Sequence, residues 1–262
     1  MADSRPLGLF DSGLGGLTAV NALARTLPKE SFIYVGDTAR TPYGQKSVDT
    51  LLTYGRQIID FLANENVKAI VVACGTISSN VMNNLWDEFK LPIIDVVRPG
   101  IEEALKQAEK RIGIIATAAT IKSGFIQKSI EKNSALEVTA KACPLFVPLI
   151  EQGKYDNPIT YSIADMYLQE WKENKIDTLV LGCTHYPLLH EPITNVLGNI
   201  NLIDIADAAI QSTRDYLKNN DMLNESGNVS HKYYISGDVE KFNEIGAKII
   251  GRSLKAEKIY WE

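Results

Sequence analysis

The chain has 262 residues and a formal net charge of -5, and 45% of its residues are hydrophobic and 23% are charged. This composition excludes disordered and fibrous proteins, and the length suffices for one large α/β domain or two of ordinary size. A negative net charge without any basic tract argues against nucleic acid or an anionic membrane as a partner.

No segment of the sequence predicts export or membrane insertion. An apolar strand begins by Leu7, without the long apolar region of a secretory signal. No apolar run approaches the roughly 20 residues that a membrane span requires. The chain has three cysteines, with the spacing of neither a disulfide framework nor a zinc site, which is typical of a reducing compartment. We therefore expect a cytoplasmic protein with no metal and no membrane contact.

In the first part of the chain, short apolar runs that predict buried strands alternate with amphipathic helices. The first strand is followed by the turn Asp11–Gly16 and by a helix that Ser12 or Asp11 is expected to cap. Ser47 predicts the start of the helix after the second strand, and a further helix is expected from about Ser78. The predicted strands are residues 8–10, 32–35, 69–73 and 92–96.

The same pattern then begins again, with strands at 112–116, 138–142, 178–182 and 201–205 and helices over 101–110, 117–130, 159–173 and 187–197. Residues 144–153 are apolar but contain two prolines. We expect a buried connection there, ending at Glu151. Residues 206–262 predict a helix, a strand near 233–236, a helix and a last strand near Ile259. This tail is too short to bury a core of its own, so we expect it to pack on the first half.

The second run predicts an internal duplication. Cys74 follows the third strand and Cys183 follows the corresponding strand of the second run, at nearly the spacing that separates the strands opening each run. Ligands of open parallel sheets bind beyond the carboxyl ends of the strands. We therefore predict an α/β fold of two pseudo-symmetric three-layer domains with mainly parallel sheets. The domains are residues 1–97 plus 207–262 and residues 98–206, with the active site in the cleft between them.

The turn Asp11–Gly16 offers backbone N–H groups at the start of a helix, an arrangement that suits a carboxylate or a phosphate. Asp37 even stands where a dinucleotide-binding fold keeps its ribose-binding acid. The glycine fingerprint of such folds nevertheless fails at Thr18, and there is no Walker lysine. A site for a small carboxylate is therefore favoured over nucleotide binding, with a plain strand-to-helix turn as the remaining alternative.

Two of the cysteines have potential proton partners. Cys183 is followed closely by His185, and Cys74 has Asp11 at the end of a strand expected to lie nearby. Cys143 has no polar neighbour, so we assign it to the buried apolar cysteines, which are commoner than nucleophiles.

The chemistry of two opposed thiols narrows the choice of function. Glu151 is a candidate to orient the imidazole of His185, and a solvated helix-end carboxylate is an equal alternative. A disulfide redox pair is usually spaced as C-x-x-C, and a Cys-His hydrolase needs only one thiol. Removing a proton from one face of a carbon and returning it to the other face needs two acid/base groups, which the duplication supplies.

Seven segments of the chain match one known family. They are GLFDSGLGGL at 8–17, YVGDTARTPYGQKS at 34–47, VVACGTISSNV at 71–81, GIIATAATIKSG at 113–124, FVPLIEQG at 146–153, LVLGCTHYPLL at 179–189 and SGD at 236–238. Through them the chain resembles the glutamate racemases of the aspartate/glutamate racemase superfamily, nearly from end to end. The resemblance implies a cofactor-independent, two-base 1,1-proton transfer that interconverts L- and D-glutamate and supplies D-glutamate for peptidoglycan. It also implies a homodimer, regulated in some members by a peptidoglycan precursor.

The matching positions imply a role for each site residue. Cys74 would be the base for D-glutamate, assisted by Asp11. Cys183 would be the base for L-glutamate, assisted by His185 with Glu151 in support. The positions that hold the amino and carboxylate groups of the substrate are Asp11, Ser12, Tyr43, Gly44, Gly75, Thr76, Thr117, Thr120 and Thr184.

One position departs from the family pattern. Where the family has ACNT, this chain has Gly75 in place of the asparagine, so a side-chain amide is absent. The departure leaves three alternatives open: a racemase of a related acidic amino acid such as aspartate, a Cys-His amidohydrolase, and a protein that binds glutamate without turnover.

Overall fold

The structure, a computed structural model, describes residues 3–261 and contains two β-sheets. The first sheet consists of β1 (Leu7–Asp11), β2 (Phe32–Gly36), β3 (Ala69–Val72), β4 (Ile93–Asp95), β9 (His231–Ile235) and β10 (Ala256–Lys258). The second consists of β5 (Arg111–Ala116), β6 (Glu137–Ala142), β7 (Thr178–Leu181) and β8 (Asn201–Asp204). Neighbouring strands in both sheets are parallel. The predicted α/β class with parallel sheets is confirmed.

The two sheets share one strand order. The first sheet has the strand order β10-β9-β2-β1-β3-β4, and the second has the order β6-β5-β7-β8. The order β2-β1-β3-β4 of the first sheet is therefore repeated by the four strands of the second. Cys74 and Cys183 therefore follow equivalent strands, β3 and β7. The C-terminal strands β9 and β10 extend the first sheet, as expected for the tail. Sheet membership supports the division into residues 1–97 plus 207–262 and residues 98–206, which stays a proposal.

Helices connect the strands. The longer ones are α1 (Leu17–Thr26), α2 (Val48–Asn64), α5 (Val97–Gln107), α7 (Phe125–Asn133), α9 (Pro158–Asn174), α10 (His190–Leu197), α11 (Ile205–Asn219) and α12 (Val239–Ile250). The shorter ones are α3 (Gly75–Asn80), α4 (Met82–Leu85), α6 (Ala118–Ser123) and α8 (Phe146–Ile150). Single 3-10 turns lie at Tyr43–Gln45, Trp86–Glu88 and Tyr186–Leu189. Within residues 3–261, no helix is both long and apolar enough to cross a bilayer.

Apolar side chains cover both faces of each sheet. The cluster that contains Ile58 and Val72 joins α2, α3 and α4 to one face of the first sheet. The cluster that contains Leu168 and Leu181 joins α8, α9 and α10 to one face of the second. Between the sheets, α11 packs against both α1 and α5, and apolar residues of both halves form a single core. This shared core holds the carboxyl ends of the two sheets close to each other.

Three local expectations differ from the structure. Residues 144–153 contain the helix α8, because Pro148 lies in its first turn, where the missing N–H would have had no partner. The helix expected over 117–130 is divided by Gly124, which adopts a left-handed φ of 67°. The helix expected from Ser78 begins at Gly75, immediately after the thiol.

Asp37 stands at the end of β2 and is fully buried. Its carboxylate accepts hydrogen bonds from Arg40, Ser236 and Trp261 at 2.6–2.7 Å and a further one from the Tyr43 hydroxyl. The carboxylate therefore ties β2 to β9, to the following loop and to the C-terminal residues, which leaves it unavailable for a ribose.

Asp204 caps α11, and its carboxylate accepts the N–H of Ala206 at 2.8 Å. Burial, helped by the nearby Asp207 carboxylate, raises the pKa of Asp204 to about 6. The pKa of an unfolded aspartate is about 3.9, so the folded protein binds this proton more tightly than the unfolded chain. The stability that this proton provides is fully present below about pH 4 and is lost as the pH rises through about 6.

We predict that Asp204→Asn raises the unfolding temperature at pH 7.5 by about 5 °C, because asparagine keeps the cap and removes a partly buried charge. The gain should vanish at pH 4, and thermal unfolding across this range measures it. The matched change Asp177→Asn should act in the opposite direction at pH 7.5. For Asp177, hydrogen bonds from the N–H groups of residues 109–111 and from Thr178 outweigh burial and lower the pKa. An Asp204→Asn protein no more stable than the wild type at pH 7.5 would show that the Asp204 charge does not destabilise the fold.

Candidate active site

A cavity of about 80 Å³ lies between the carboxyl ends of the two sheets. Both Cys74 and Cys183 belong to its wall and are buried. The other wall residues are Asp11, Ser12, Pro42, Tyr43, Gly44, Gln45, Gly75, Thr76, Thr117, Ala118, Cys143, Pro144, Val147, Thr184 and His185. The wall residues that the structure describes include no lysine or arginine. An anionic ligand here would therefore be held by hydroxyl and backbone N–H groups.

Cys74 occupies the N-cap position of α3, directly beyond β3. In the parallel pairing of β1 with β3, Phe10 lies opposite Val72, so Asp11 leaves the sheet level with Ala73, one position before Cys74. Burial, reinforced by the Asp11 carboxylate, raises the pKa of the Cys74 thiol well above its usual value. Burial also raises the pKa of Asp11, although His185 opposes it. The first thiol is therefore held in its protonated form.

Cys183 follows β7 and faces an imidazole. Nδ1 of His185 lies 3.7 Å from Sγ of Cys183, and Nε2 lies 2.7 Å from Oε1 of Glu151. Burial disfavours the imidazolium, but the contacts with Cys183 and Glu151 outweigh it and raise the pKa of His185 well above its usual value. The three side chains form a chain of groups that can share a proton, with Glu151 behind the imidazole and outside the cavity wall.

The glycine-rich turn after β1 contacts this group directly. The N–H of Leu14 donates to Oε1 of Glu151 at 2.7 Å, and the N–H of Gly15 lies 3.2 Å from Nε2 of His185. A Cβ at Gly15 would lie 2.2 Å from Nδ1 of that imidazole, so only glycine permits the approach. The turn of the first half is thus hydrogen-bonded to the acid/base group of the second.

The turn is not a free anion site, which corrects the expectation from its glycine pattern. The N–H groups of Gly13 and Gly16 donate to Oδ2 of Asp11 at 3.2 and 3.0 Å. The N–H groups of Leu14 and Gly15 are directed to the second half, as described above. Gly16 is the N-cap residue of α1, and no side chain caps the helix there, so Ser12 is not its cap.

The two contacts of His185 Nε2 belong to different protonation states. A protonated Nε2 donates to Glu151, whereas an unprotonated Nε2 accepts from Gly15. Because the pKa of His185 is raised, the contact with Glu151 prevails near neutral pH. An imidazole that gives its Nδ1 proton to Cys183 keeps the proton on Nε2 and therefore keeps the contact with Glu151.

Most of the predicted substrate-binding residues lie on the cavity wall. Thr120 does not: it lies behind Thr117, whose Oγ1 is 3.0 Å from the Oγ1 of Thr120 and 3.0 Å from that of Thr76. The Tyr43 hydroxyl donates its proton to Asp37, so towards a ligand it can only accept a hydrogen bond. The remaining predicted residues on the wall are Asp11, Ser12, Gly44, Gly75 and Thr184.

Several wall residues beyond β2 and β6 were not predicted from the sequence, although Tyr43 and Gly44 beyond β2 were. Gln45 lies in the 3-10 turn after β2, and Cys143, Pro144 and Val147 lie beyond β6. Ligands of parallel sheets bind beyond the carboxyl ends of the strands, and this rule applies to β6 as well as to β1, β3 and β7. The strand predicted at 138–142 therefore already indicated that the residues after it could line the site. Cys143 itself is fully buried, and burial raises the pKa of its thiol to about 12.

These features define an α/β protein in which two parallel sheets place Cys74 and Cys183, at equivalent strand ends, on the wall of one shared cavity. The chain belongs to the Asp/Glu/hydantoin racemase family, whose family model matches residues 16–213. It is 42% identical over 258 residues to the glutamate racemase of Thermoanaerobacter pseudethanolicus, covering 97% of this chain and 96% of that protein.

Two solved structures resemble the whole chain. A glutamate racemase isoform from Bacillus anthracis superposes with a TM-score of 0.93 at 32% identity, covering 98% of this chain and 97% of the other. The glutamate racemase of Francisella tularensis, solved in complex with D-glutamate, superposes with a TM-score of 0.92 at 36% identity, covering 98% of each chain. The fold derived from the sequence is therefore the fold of this family.

We predict that the imidazole of His185 is protonated at pH 7.5 and that Glu151→Gln lowers its pKa, because a neutral amide replaces the carboxylate beside Nε2. Nitrogen NMR of the histidine rings measures both. His231 is the internal control, since burial, followed by the effect of Arg252, lowers its pKa and Glu151 plays no part. If His185 titrates in the ordinary range in the wild type, the proton-sharing group does not exist as described.

Proposed function

We propose that this protein interconverts L- and D-glutamate by two-base 1,1-proton transfer without a cofactor. The observation that carries the proposal is the presence of two buried thiols at equivalent strand ends on the wall of one cavity, each with its own proton partner. The family assignment and the glutamate racemases among its relatives support the choice of reaction and substrate.

For L-glutamate, the Cys183 thiolate removes the α-proton and becomes a thiol. The electron pair of the C–H bond remains on the substrate, delocalised into its α-carboxylate. Cys74 then donates its thiol proton to the opposite face and becomes a thiolate, which gives D-glutamate. In the reverse direction Cys74 is the base and Cys183 the acid, so each turnover exchanges the protonation states of the two sulfurs.

The two thiols have different surroundings. The raised pKa of Cys74 favours the thiol, the form that donates to the carbanion made from L-glutamate. His185, held by Glu151, lies close enough to Cys183 to exchange a proton with it. Asp11 is the first residue of the glycine turn and lies on the cavity wall with Cys74. Its carboxyl group is placed to receive the substrate ammonium group.

The alternatives are less well supported. A Cys-His amidohydrolase would use Cys183 and His185 but would leave Cys74, with its separate partner Asp11, without a role. A racemase of aspartate would use the same thiols and differs only in the length of the acid. Further proposals, supported by the resemblance alone, are a cytoplasmic homodimer and a role in supplying D-glutamate for peptidoglycan.

We predict that Cys74→Ser and Cys183→Ser each lower kcat/KM for glutamate by about 10²- to 10⁴-fold, because each removes one acid/base group. The two enantiomers have equal free energies, so kcat/KM must fall by the same factor in both directions for each variant. Chiral chromatography of the reaction, started from either enantiomer, measures this.

Cys143→Ser is the matched control, because Cys143 is a third buried thiol on the wall with no assigned proton partner. It should stay within about threefold of the wild type. Activity that survives in Cys74→Ser but not in Cys183→Ser, together with ammonia release from glutamine, would replace the racemase with an amidohydrolase. Faster turnover of aspartate than of glutamate in the wild type would change the substrate and leave the mechanism in place.

A further inference from the structure

The two turns that carry the thiols touch at their backbones. A Cβ built on Gly75 would lie 2.4 Å from the carbonyl oxygen of Gly182 and 3.6 Å from Cα of Cys183. Gly75 follows Cys74 directly, and Gly182 precedes Cys183 directly. The contact therefore lies between the residues that position the two sulfurs.

Neither side of this contact can move aside locally. The Gly182 N–H donates to the carbonyl of Ile115 at 2.8 Å, and a Cβ at Gly182 would itself meet Ala116 and Ile115 at 3.0 Å, so this turn is packed from behind. On the other side, the N–H of Ala73 donates to the carbonyl of Phe10 at 2.8 Å. Both turns thus directly continue strands of the sheets. A side chain at position 75 would meet a backbone oxygen, that of Gly182, and not the end of a flexible side chain.

The approach is supported by a hydrogen bond one residue further on. Oγ1 of Thr76 lies 3.0 Å from Oγ1 of Thr117, which begins the turn after β5. Thr76 and Thr117 both belong to the cavity wall. Moving the turn at Gly75 away from Gly182 would therefore also lengthen this bond across the cavity.

We propose that Gly75 is a positioning residue whose missing side chain sets how closely the two thiol-bearing turns approach each other. This inference deepens the proposed racemase activity and rests on it. Carbon-to-oxygen contacts are ordinarily at about 3.3–3.6 Å, so any side chain at position 75 must separate the turns by about 1 Å. A displacement of that size between reacting groups can cost about 10²-fold in rate.

The family pattern and the geometry predict opposite effects of an asparagine at position 75. The family pattern has asparagine at this position, so restoring it should improve the site if the missing amide were what mattered. The geometry predicts the opposite, because Gly75→Asn adds the same Cβ that meets Gly182.

The experiment compares Gly75→Ala and Gly75→Asn with Gly55→Ala in racemisation assays. Gly55 is a buried glycine of α2, where a Cβ would crowd only the Leu85 side-chain end, at 2.7 Å, so it matches the chemical change away from the cavity. We expect kcat/KM for glutamate to fall about 10- to 100-fold in both Gly75 variants and to stay within about twofold in Gly55→Ala.

A second substrate distinguishes a wider separation of the two turns from a general loss of activity. If the turns separate, the rate with 2-aminoadipate, which is one methylene longer, should fall less than the rate with glutamate. An unchanged ratio of the two rates, or a Gly75→Asn protein as active as the wild type or more active, would overturn the proposal. One folded Gly75 variant suffices for the test, because both variants add the same Cβ. If neither folds while Gly55→Ala does, the contact governs folding and not the approach of the thiols, and the proposal is overturned.

The wild-type assay separates this inference from the proposed function. A wild type that racemises neither glutamate nor aspartate contradicts the function. The separation of the turns is then read from a crystal structure of Gly75→Asn. Turns as close as in the wild type would contradict the role of Gly75 independently of turnover.

Discussion

The hydrogen bonds between the glycine turn of the first half and the His185–Glu151 pair of the second are the interaction on which the site depends. They join the strand ends of two separate sheets, and they determine what each group can do chemically. The N–H of Leu14 fixes the Glu151 carboxylate, which in turn fixes the imidazole beside Cys183. Because the contact requires glycine at position 15, the turn serves as a docking surface between halves.

Duplication explains why Cys74 and Cys183 lie at equivalent strand ends, and divergence explains why their surroundings differ. Equivalent strands β3 and β7 end in cysteines, but Cys74 adjoins a buried carboxyl group and Cys183 adjoins an imidazole. A reaction that passes a proton through a carbon from one face to the other needs one group that gives and one that takes. Identical surroundings would give both sulfurs the same proton partner, whereas Cys74 has a carboxyl group and Cys183 has an imidazole.

The parts of the site that follow from local sequence patterns were predictable, and those that depend on docking of the halves were not. Apolar runs locate β3 and β7, and the rule for parallel sheets then places Cys74 and Cys183 at one edge. The sequence already offered Glu151 as a partner of His185, but the hydrogen bond from the N–H of Leu14 to Glu151 depends on how the two halves dock. The backbone contact of Gly75 with Gly182 depends on how closely the sheets approach each other, and no periodicity encodes that distance.

Two-base proton transfer is tested most directly by the isotopic fate of the α-hydrogen when glutamate is converted in D₂O. From either enantiomer, early product should carry deuterium at the α-carbon while the unconverted substrate keeps its hydrogen, because the sulfur that donates is not the sulfur that accepts. Deuterium entering unconverted substrate as fast as product, or product that retains the original hydrogen, would show that one base serves both faces and would contradict the two-thiol mechanism.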